Sequence, residues 1–438
     1  MLFYLFFTTK RLLENTKKSK HICADATYKL LHYGFPVLIV GTTDKNKTFH
    51  PFGVALCCNE KEEAFMFIFQ SIKDSVRDIY QFDYEPTILV ADASNAITNG
   101  FTSVFKDLLF RVMCWFHMKK AYEDHETYLA VESIHRDSIK QDIYVLQLSE
   151  STDIFNTAYK LFKKKWSNEK NKAIDSFLNY FDNVWIEQHP GWYEGYAPGV
   201  PSTNNGLEAT NEKVKSQATL RTKLSFGRFL EVVTTEIIEK WSKERDEDKP
   251  YCKPFVTQPT INHSLWVQAF HMSIDDRLTT NVILKTQKTT YMSSGRLDEN
   301  NEPIINNINI AKETKSYREL KSKKNWTSFE HYNDYITRFW QITFIEDKDE
   351  WKSSLCNCSS FQKDNICKHL LLQAIRFKYV TVPLTAQTVK FQSAPKRGRP
   401  ATISKALQID QPNPTKRSAG ETNSIVKINR KTKKQKLV

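Results

Sequence analysis

Apolar and polar positions follow two rhythms along the first 130 residues, a period of two and a period near 3.6, and each predicts its own element. Residues 21–28 (HICADATY) and the apolar run Val37–Thr43 (VLIVGTT) read as strands. Asp44-Lys45-Asn46-Lys47 then supplies turn residues, and Phe49–Cys58 (FHPFGVALCC) reads as a third strand with Pro51 near its start. Together these three predict an antiparallel meander. Across Glu60–Tyr80 the rhythm changes: Phe65, Ile68, Phe69, Ile72 and Val76 fall at helical spacing. Thr87–Val90 is a fourth strand, Ala96–Leu109 a helix and Phe110–Phe116 a fifth strand, with helix again from Met118.

Strands reached through helices should lie parallel, with right-handed crossovers. Three strands, then helix, strand, helix, strand, helix is the ribonuclease-H-like order. The expected fold class is therefore α/β, a ribonuclease-H-like mixed sheet. Residues of about 130–203 form a helical insertion rich in Lys and aromatics (Tyr159, Phe162, Trp166, Phe177, Tyr180, Phe181, Trp185). Aromatics at helical spacing form core, or, if exposed, stack on bases. A Pro- and Gly-rich loop, Gln188–Thr203, ends the insertion. Asn204–Thr219 is expected as a helix under an Asn cap and Phe226–Arg245 as another, broken by Asp246–Pro259. Residues 260–350 mix a helix with short strands such as Phe339–Ile345, and no internal repeat is visible. After Val382 the composition shifts to Pro, Lys, Arg, Thr and Ser, which predicts disorder.

Charge divides the 438 residues unequally. Phe391–Val438 holds 12 of the 63 Lys and Arg but 2 of the 50 Asp and Glu, a net of +10, which leaves about +3 of the total +13 for everything before it. The body is near neutral and the tail is a polycation, suited to nucleic acid, nuclear import or solubility. Hydrophobic residues make up 40% and aromatics 13%, enough for a real core. Met1–Phe7 (MLFYLFF) is too short to span a bilayer and lacks a preceding positive region and a cleavage site, so it reads as a buried segment of the fold. No other stretch approaches membrane length. Of eight cysteines, Cys356, Cys358 and Cys367 crowd together and the others are scattered, a pattern of metal binding in a reducing compartment.

Asp25 sits mid-strand among Ile22, Cys23 and Ala24, and Asp92 follows the buried run TILVA. An ionised carboxylate in such company is costly without cationic compensation. If the first and fourth strands are adjacent, the two acids face each other at strand C-termini, where α/β sheets collect functional groups. A divalent cation of the Mg²⁺ or Mn²⁺ class would remove their repulsion. A third acid would come from Glu208, in the first turn of a helix, or from its rival Glu212 one turn on. Other readings stay open on physics alone: Asp92 as a helix cap, Glu208 as a helix N-terminal acid.

Residues 356–369 read CNCSSFQKDNICKH, so Cys356, Cys358, Cys367 and His369 offer three thiolates and one imidazole. That is a closed tetrahedral set, expected to hold a structural Zn²⁺. The spacing resembles the SWIM finger, CxCxnCxH, and its last ligands run into the apolar helix Leu370–Phe377. In the tail, Pro395-Lys-Arg-Gly-Arg-Pro400 resembles an AT-hook: Gly398 would sit deep in an A·T minor groove with Arg397 and Arg399 along it. Lys427–Lys436 reads as a nuclear import cluster.

Six blocks in order, 25–30 (DATYKL), 37–44 (VLIVGTTD), 49–57 (FHPFGVALC), 90–97 (VADASNAI), 114–119 (CWFHMK) and 203–211 (TNNGLEATN), resemble the Mutator-like (MULE) transposase domain over roughly residues 1–245. The resemblance implies that Asp25, Asp92 and Glu208 form a catalytic metal-binding triad and that Asp44 is a turn residue. It also implies that Cys114 and His117 match a Cys-x-x-His pair supporting the active site, although a core Cys beside a strand-end His reads the same way. The organisation expected is a catalytic domain at 1–245, a connecting region at 246–340, a small α+β SWIM module at 341–382 and a disordered basic tail at 383–438. The function implied is a nuclear cut-and-paste DNA transposase acting on transposon ends and target DNA, at least a homodimer because paired ends must be held together. With only 24 residues before Asp25, an N-terminal end-reading finger is not expected in this chain, which suggests a truncated copy or a finger elsewhere. The alternatives are a domesticated, transposase-derived DNA-binding regulator without catalysis, a layout shared by the far-red response transcription factors, and an inert relic that binds DNA through its tail.

Overall fold

The computed structural model describes residues 3–274, 279–284, 287–297 and 302–387. The AT-hook-like Arg397, Gly398 and Arg399, the import cluster and the tail from residue 388 lie outside the described residues, whereas the start of the segment expected to be disordered, Leu384–Gln387, is a short helix.

Six strands make one mixed sheet: β1 (Tyr4–Phe7), β2 (His21–Thr27), β3 (Val37–Thr43), β4 (Phe49–Cys57), β5 (Ile88–Ala91) and β6 (Phe110–Met113), in the order β1-β4-β3-β2-β5-β6. β2, β3 and β4 form the expected antiparallel meander. β5 lies parallel to β2 and β6 parallel to β5, as strands joined through helices should. The segment read simply as buried turns out to be β1, a half-buried edge strand antiparallel to β4. Four residues with no turn signal carry too little alternation to announce a strand. The fifth strand stops at Met113, earlier than its apolar run, because Cys114 caps a helix over Trp115–Glu123.

Both faces of the sheet are covered, and the period of two decides which side chains go where. Ile22, Ala24, Leu89 and Ala91 face the helices Glu62–Tyr80 and Asn95–Val104, packing with Phe65, Ile68, Phe69, Ile72 and Phe101. Each large side chain buried there stabilises the fold by about 1.5–3 kcal/mol before chain entropy is counted. Cys23, Val90 and Val112 face the opposite way, onto Leu207, Val214, Phe229 and Val233 of the helical segments Asn205–Ala218 and Phe226–Lys243. By the same alternation Asp25 and Asp92 belong to this second face.

The helical insertion does not stand apart. Its helices Ser133–Gln147, Thr152–Ser167 and Lys172–Phe181 share one core with Tyr291, Tyr317, Trp326, Phe329, Tyr332 and Phe339 from far along the chain. Tyr159, Phe162, Trp166, Phe177, Phe181 and Trp185 are buried in that core, with Tyr180 packed against it. The base-stacking option for them therefore gives way to the core one.

A second, antiparallel sheet follows: β7 (Thr279–Leu284), β8 (Gln287–Ser293), β9 (Phe339–Phe344) and β10 (Leu355–Cys356), in the order β10-β9-β8-β7. It packs with the helices His263–Ile274 and Lys368–Arg376 around Ala269, Met292, Ile342, Phe344, Leu370 and Leu371. Among the described residues no helix is long and apolar enough to cross a membrane.

The helix that follows Asp92 is held close to its neighbour by Gly100, where an added Cβ would lie 2.7 Å from Phe65 Cβ and 2.8 Å from the Met66 backbone nitrogen. We expect Gly100→Ala to cost about 1–3 kcal/mol through overpacking, measured by denaturant unfolding; an unchanged midpoint would show that the helices separate freely.

Candidate functional site

Register brings the two strand acids together. β2 and β5 pair in parallel as Ile22 with Leu89 and Cys23 with Val90, and two more residues along each strand reach Asp25 and Asp92. Asp25 is pushed up to about 7, first by burial and then by the charges of Asp92 and Glu208, with a hydrogen bond at the Ala26 backbone working the other way. Asp92 accepts the Ser94 backbone N–H on Oδ1 at 3.0 Å, so it shapes the start of the next helix as well. Asp92 is not the helix cap: Ser94 holds that position without a side-chain cap bond, and Asp92 turns the chain two residues before it.

Glu208 approaches from the helix Asn205–Lys213 on the shared face. Its Oε1 lies 3.6 Å from His117 Nε2 and 3.9 Å from Cys114 Sγ. The rival Glu212 is exposed and pairs with Arg221. Cys114 is fully buried, and its sulfur accepts the Asn204 backbone N–H at 3.2 Å. Cys114 and His117 therefore both lie against Glu208.

Several neighbours were not visible from the sequence. Asn211 Nδ2 donates to Asp25 Oδ2 at 2.8 Å. It lies three residues after Glu208, on the same helix face, and that spacing was the available signal. Asn204, expected to cap its helix, makes no side-chain cap bond; instead its Nδ2 donates to the Ala24 carbonyl at 3.2 Å and ties the helix to β2. Arg111, in the middle of an apolar strand, donates to the backbone carbonyls of Asp92, Ala91 (3.3 Å) and Val112 (2.8 Å) and to Thr98 Oγ1 (2.8 Å). Burial lowers it to about 10 against the favourable charge of Asp92. Glu60, which accepts from Tyr28, is raised by burial and by Asp92, so a fourth carboxylate borders the pair. Burial and the Arg111 charge lower His189, partly offset by Asp92.

Asp44 organises a turn, as expected. Its Oδ1 accepts the Asn46 and Thr48 backbone N–H groups, both at 2.9 Å, and its Oδ2 meets His50 Nε2 at 3.1 Å.

A second cluster lies in the C-terminal region. Single ligand atoms of Cys356, Cys358, Cys367 and His369 all fall within 4.8 Å of one another, and all four residues are buried. Cys358 and Cys367 each cap a helix, accepting backbone N–H groups of Phe361 and Leu370 at 3.4 Å. His369 turns Nδ1 toward Cys356 Sγ at 3.9 Å and stacks on Trp340. Buried thiols crowded round one point, backed by N–H donors, are the donor set a tetrahedral zinc ion requires, so this cluster can hold one.

The first sheet and its carboxylate edge define an α/β protein with a candidate metal-dependent site. Residues 21–121 match the MULE transposase domain, a span that contains Asp25, Asp92, Cys114 and His117. That span, about a quarter of the 438 residues, is similar to the transposase domain of the Mutator-like family. No curated protein matches it.

Two outcomes follow. Because the folded Asp25 binds its proton more tightly than the unfolded one, the metal-free fold should lose stability as pH rises from about 4 to about 7. In thermal unfolding, Asp25→Asn should flatten that decline and Mn²⁺ should offset it at the upper end; a decline unchanged by either would place its origin elsewhere. Removing metal with a chelator should raise hydrogen exchange across Ile342–Phe344 and Leu370–Ala374, whose core the cluster closes. Exchange in those peptides that is the same with and without chelator would mean the cluster holds no structural ion.

Proposed function

We propose that this chain is a DNA transposase of the cut-and-paste type, with a ribonuclease-H-like catalytic core over residues 1–245 interrupted by the insertion at 130–203. The observation that carries this reading is the meeting of Asp25, Asp92 and the Glu208 helix on one face of the sheet, inside the region of the family match. Oxygen donors of this kind suit Mg²⁺ or Mn²⁺. They also fit the local chemistry: Asp25 is buried beside like charges, a repulsion that a bound cation relieves. When bound, such ions activate an attacking oxygen and stabilise the leaving oxygen of a phosphodiester.

The remaining roles fall to the chain's own groups. Asn211 orients the Asp25 carboxylate, and Asn204 fixes the Glu208 helix against β2. Arg111 holds the backbone at Asp92, so the end of β5 keeps its place when charge in the site changes. Cys114 and His117 hold Glu208 from behind. The grouping of the acids weighs toward catalysis over a purely regulatory role.

Around this core we assign residues 246–340 to a connecting region and 341–382 to a SWIM-type finger with structural Zn²⁺ on Cys356, Cys358, Cys367 and His369. The basic tail, 383–438, serves DNA through Arg397, Gly398 and Arg399 and carries the chain to the nucleus. The partner is DNA, both the element ends and the target, held by at least a dimer.

Purified protein with Mn²⁺ should nick or join DNA carrying the element's ends, and Asp92→Asn should reduce this to background while leaving DNA affinity within about threefold of wild type. Activity that survives Asp92→Asn sinks the triad. Binding without cleavage by the wild type would point to the regulator instead.

A further inference from the structure

The geometry points to a second transition-metal site, open and of the Zn²⁺ class, formed by Cys114 Sγ, His117 Nε2 and a carboxylate oxygen of Glu208. These three ligand atoms lie within 4.8 Å of one another. Tetrahedral zinc, with bonds of about 2.3 Å to sulfur and about 2.0–2.2 Å to nitrogen and oxygen, separates its ligands by roughly 3.3–3.6 Å. The separations here are 3.6 Å from nitrogen to oxygen and 3.9 Å from sulfur to oxygen. For these two pairs an ion needs to draw the side chains together by only a few tenths of an ångström, and the sulfur-to-nitrogen separation is within 4.8 Å.

Three further features suit a ligand role better than plain packing. A thiol-to-carboxylate contact of 3.9 Å is a poor hydrogen bond, so it does not explain why these groups converge. Burial pushes the Cys114 thiol up to about 11, yet its sulfur sits at the start of the helix Trp115–Glu123 and receives backbone N–H groups from Asn204, His117 and Phe116, donors placed to support a sulfur ligand. His117 Nδ1 is buried without a hydrogen-bond partner while Nε2 faces the cluster.

Three protein ligands leave the fourth position to water or to an oxygen of substrate. That distinguishes this site from the closed four-ligand cluster at Cys356. Thiolate and imidazole select a borderline-soft ion, whereas the neighbouring Asp25 and Asp92 select a hard one. Glu208 stands between the two. Resting on the triad reading above, the consequence is that Zn²⁺ here withdraws Glu208 from the Asp25–Asp92 pair and opposes Mg²⁺-dependent chemistry.

The test uses the full chain with one equivalent of Zn²⁺ already in the Cys356 cluster, titrated with Co²⁺ under a large excess of Mg²⁺. Wild type should take up one further Co²⁺ with a thiolate-to-cobalt charge-transfer band. Cys114→Ser should lose the band and weaken binding beyond the 10–100-fold cost of losing an outer-shell partner. Asp25→Asn/Asp92→Asn should keep it, so failure of the triad would leave this site standing. X-ray absorption of the wild type should find one sulfur and one imidazole nitrogen around the added cobalt, a readout that does not depend on any variant folding. An all-oxygen shell, no second equivalent, or a band that persists in Cys114→Ser overturns the proposal.

Discussion

Two carboxylates on adjacent parallel strands repel each other, and the centre of this protein is arranged around that repulsion. Asp25 and Asp92 share a face because β2 and β5 pair in parallel with a register that leaves both acids one step past the apolar run. Neither can move away without dragging a strand whose other side chains lie in the core. The compensation is local and polar. Asn211 donates to Asp25, the Ser94 backbone donates to Asp92, and the Arg111 guanidinium spans the carbonyls that end β5 and β6. None of these cancels a charge on Asp25 outright, which is why burial and its neighbours hold its proton affinity so high.

The features legible in the sequence were those that depend on local spacing. The period of two gave the meander, the period of 3.6 gave the helix after it, and Cys-x-Cys with Cys-x-His marked four residues that the fold does bring together. Asp25 and Asp92 could be paired from the strand order alone, since strands linked by helices run parallel and their C-terminal ends coincide. What stayed hidden depends on contacts between distant residues. Asn204 has the composition of a helix cap, yet its amide serves the Ala24 carbonyl, 180 positions earlier. Arg111 gives no signal within its apolar strand, yet its guanidinium holds the end of the neighbouring strand through the Ala91 and Asp92 carbonyls. Glu60 lies two residues ahead of the helix Glu62–Tyr80, and only the return of the chain to the sheet brings its carboxylate within reach of Asp92.

The aromatic-rich insertion shows the same division. Its helical spacing was readable; its partner was not. Tyr317, Trp326, Phe329 and Tyr332 complete a core begun by Tyr122, Phe162, Phe177 and Trp192, so residues more than a hundred positions apart depend on each other for burial. Side chains this large each remove much apolar area from water, and neither half has enough of its own to do so. A window of sequence confined to the insertion shows its helices but not the segment after residue 290 that completes their core.

That shared core also bears on what the C-terminal cluster does. Asn357, between the first two cysteines, donates to Glu150 at 3.2 Å and to Tyr317 at 3.1 Å. Gln362 donates to the Leu148 carbonyl at 3.2 Å and Asn365 to the Lys45 carbonyl at 3.4 Å. Three of the polar residues between the four ligands, Asn357, Gln362 and Asn365, are therefore committed to the insertion and to the turn after β3. An ion at the cluster would fix those residues in place and, through Lys45 and its turn, brace the strand pair that lies next to β2. The Cys/His cluster and the carboxylate pair differ in donor chemistry, soft sulfur and imidazole against hard oxygen, but are linked through Asn365, the Lys45 turn and β3, which pairs with β2.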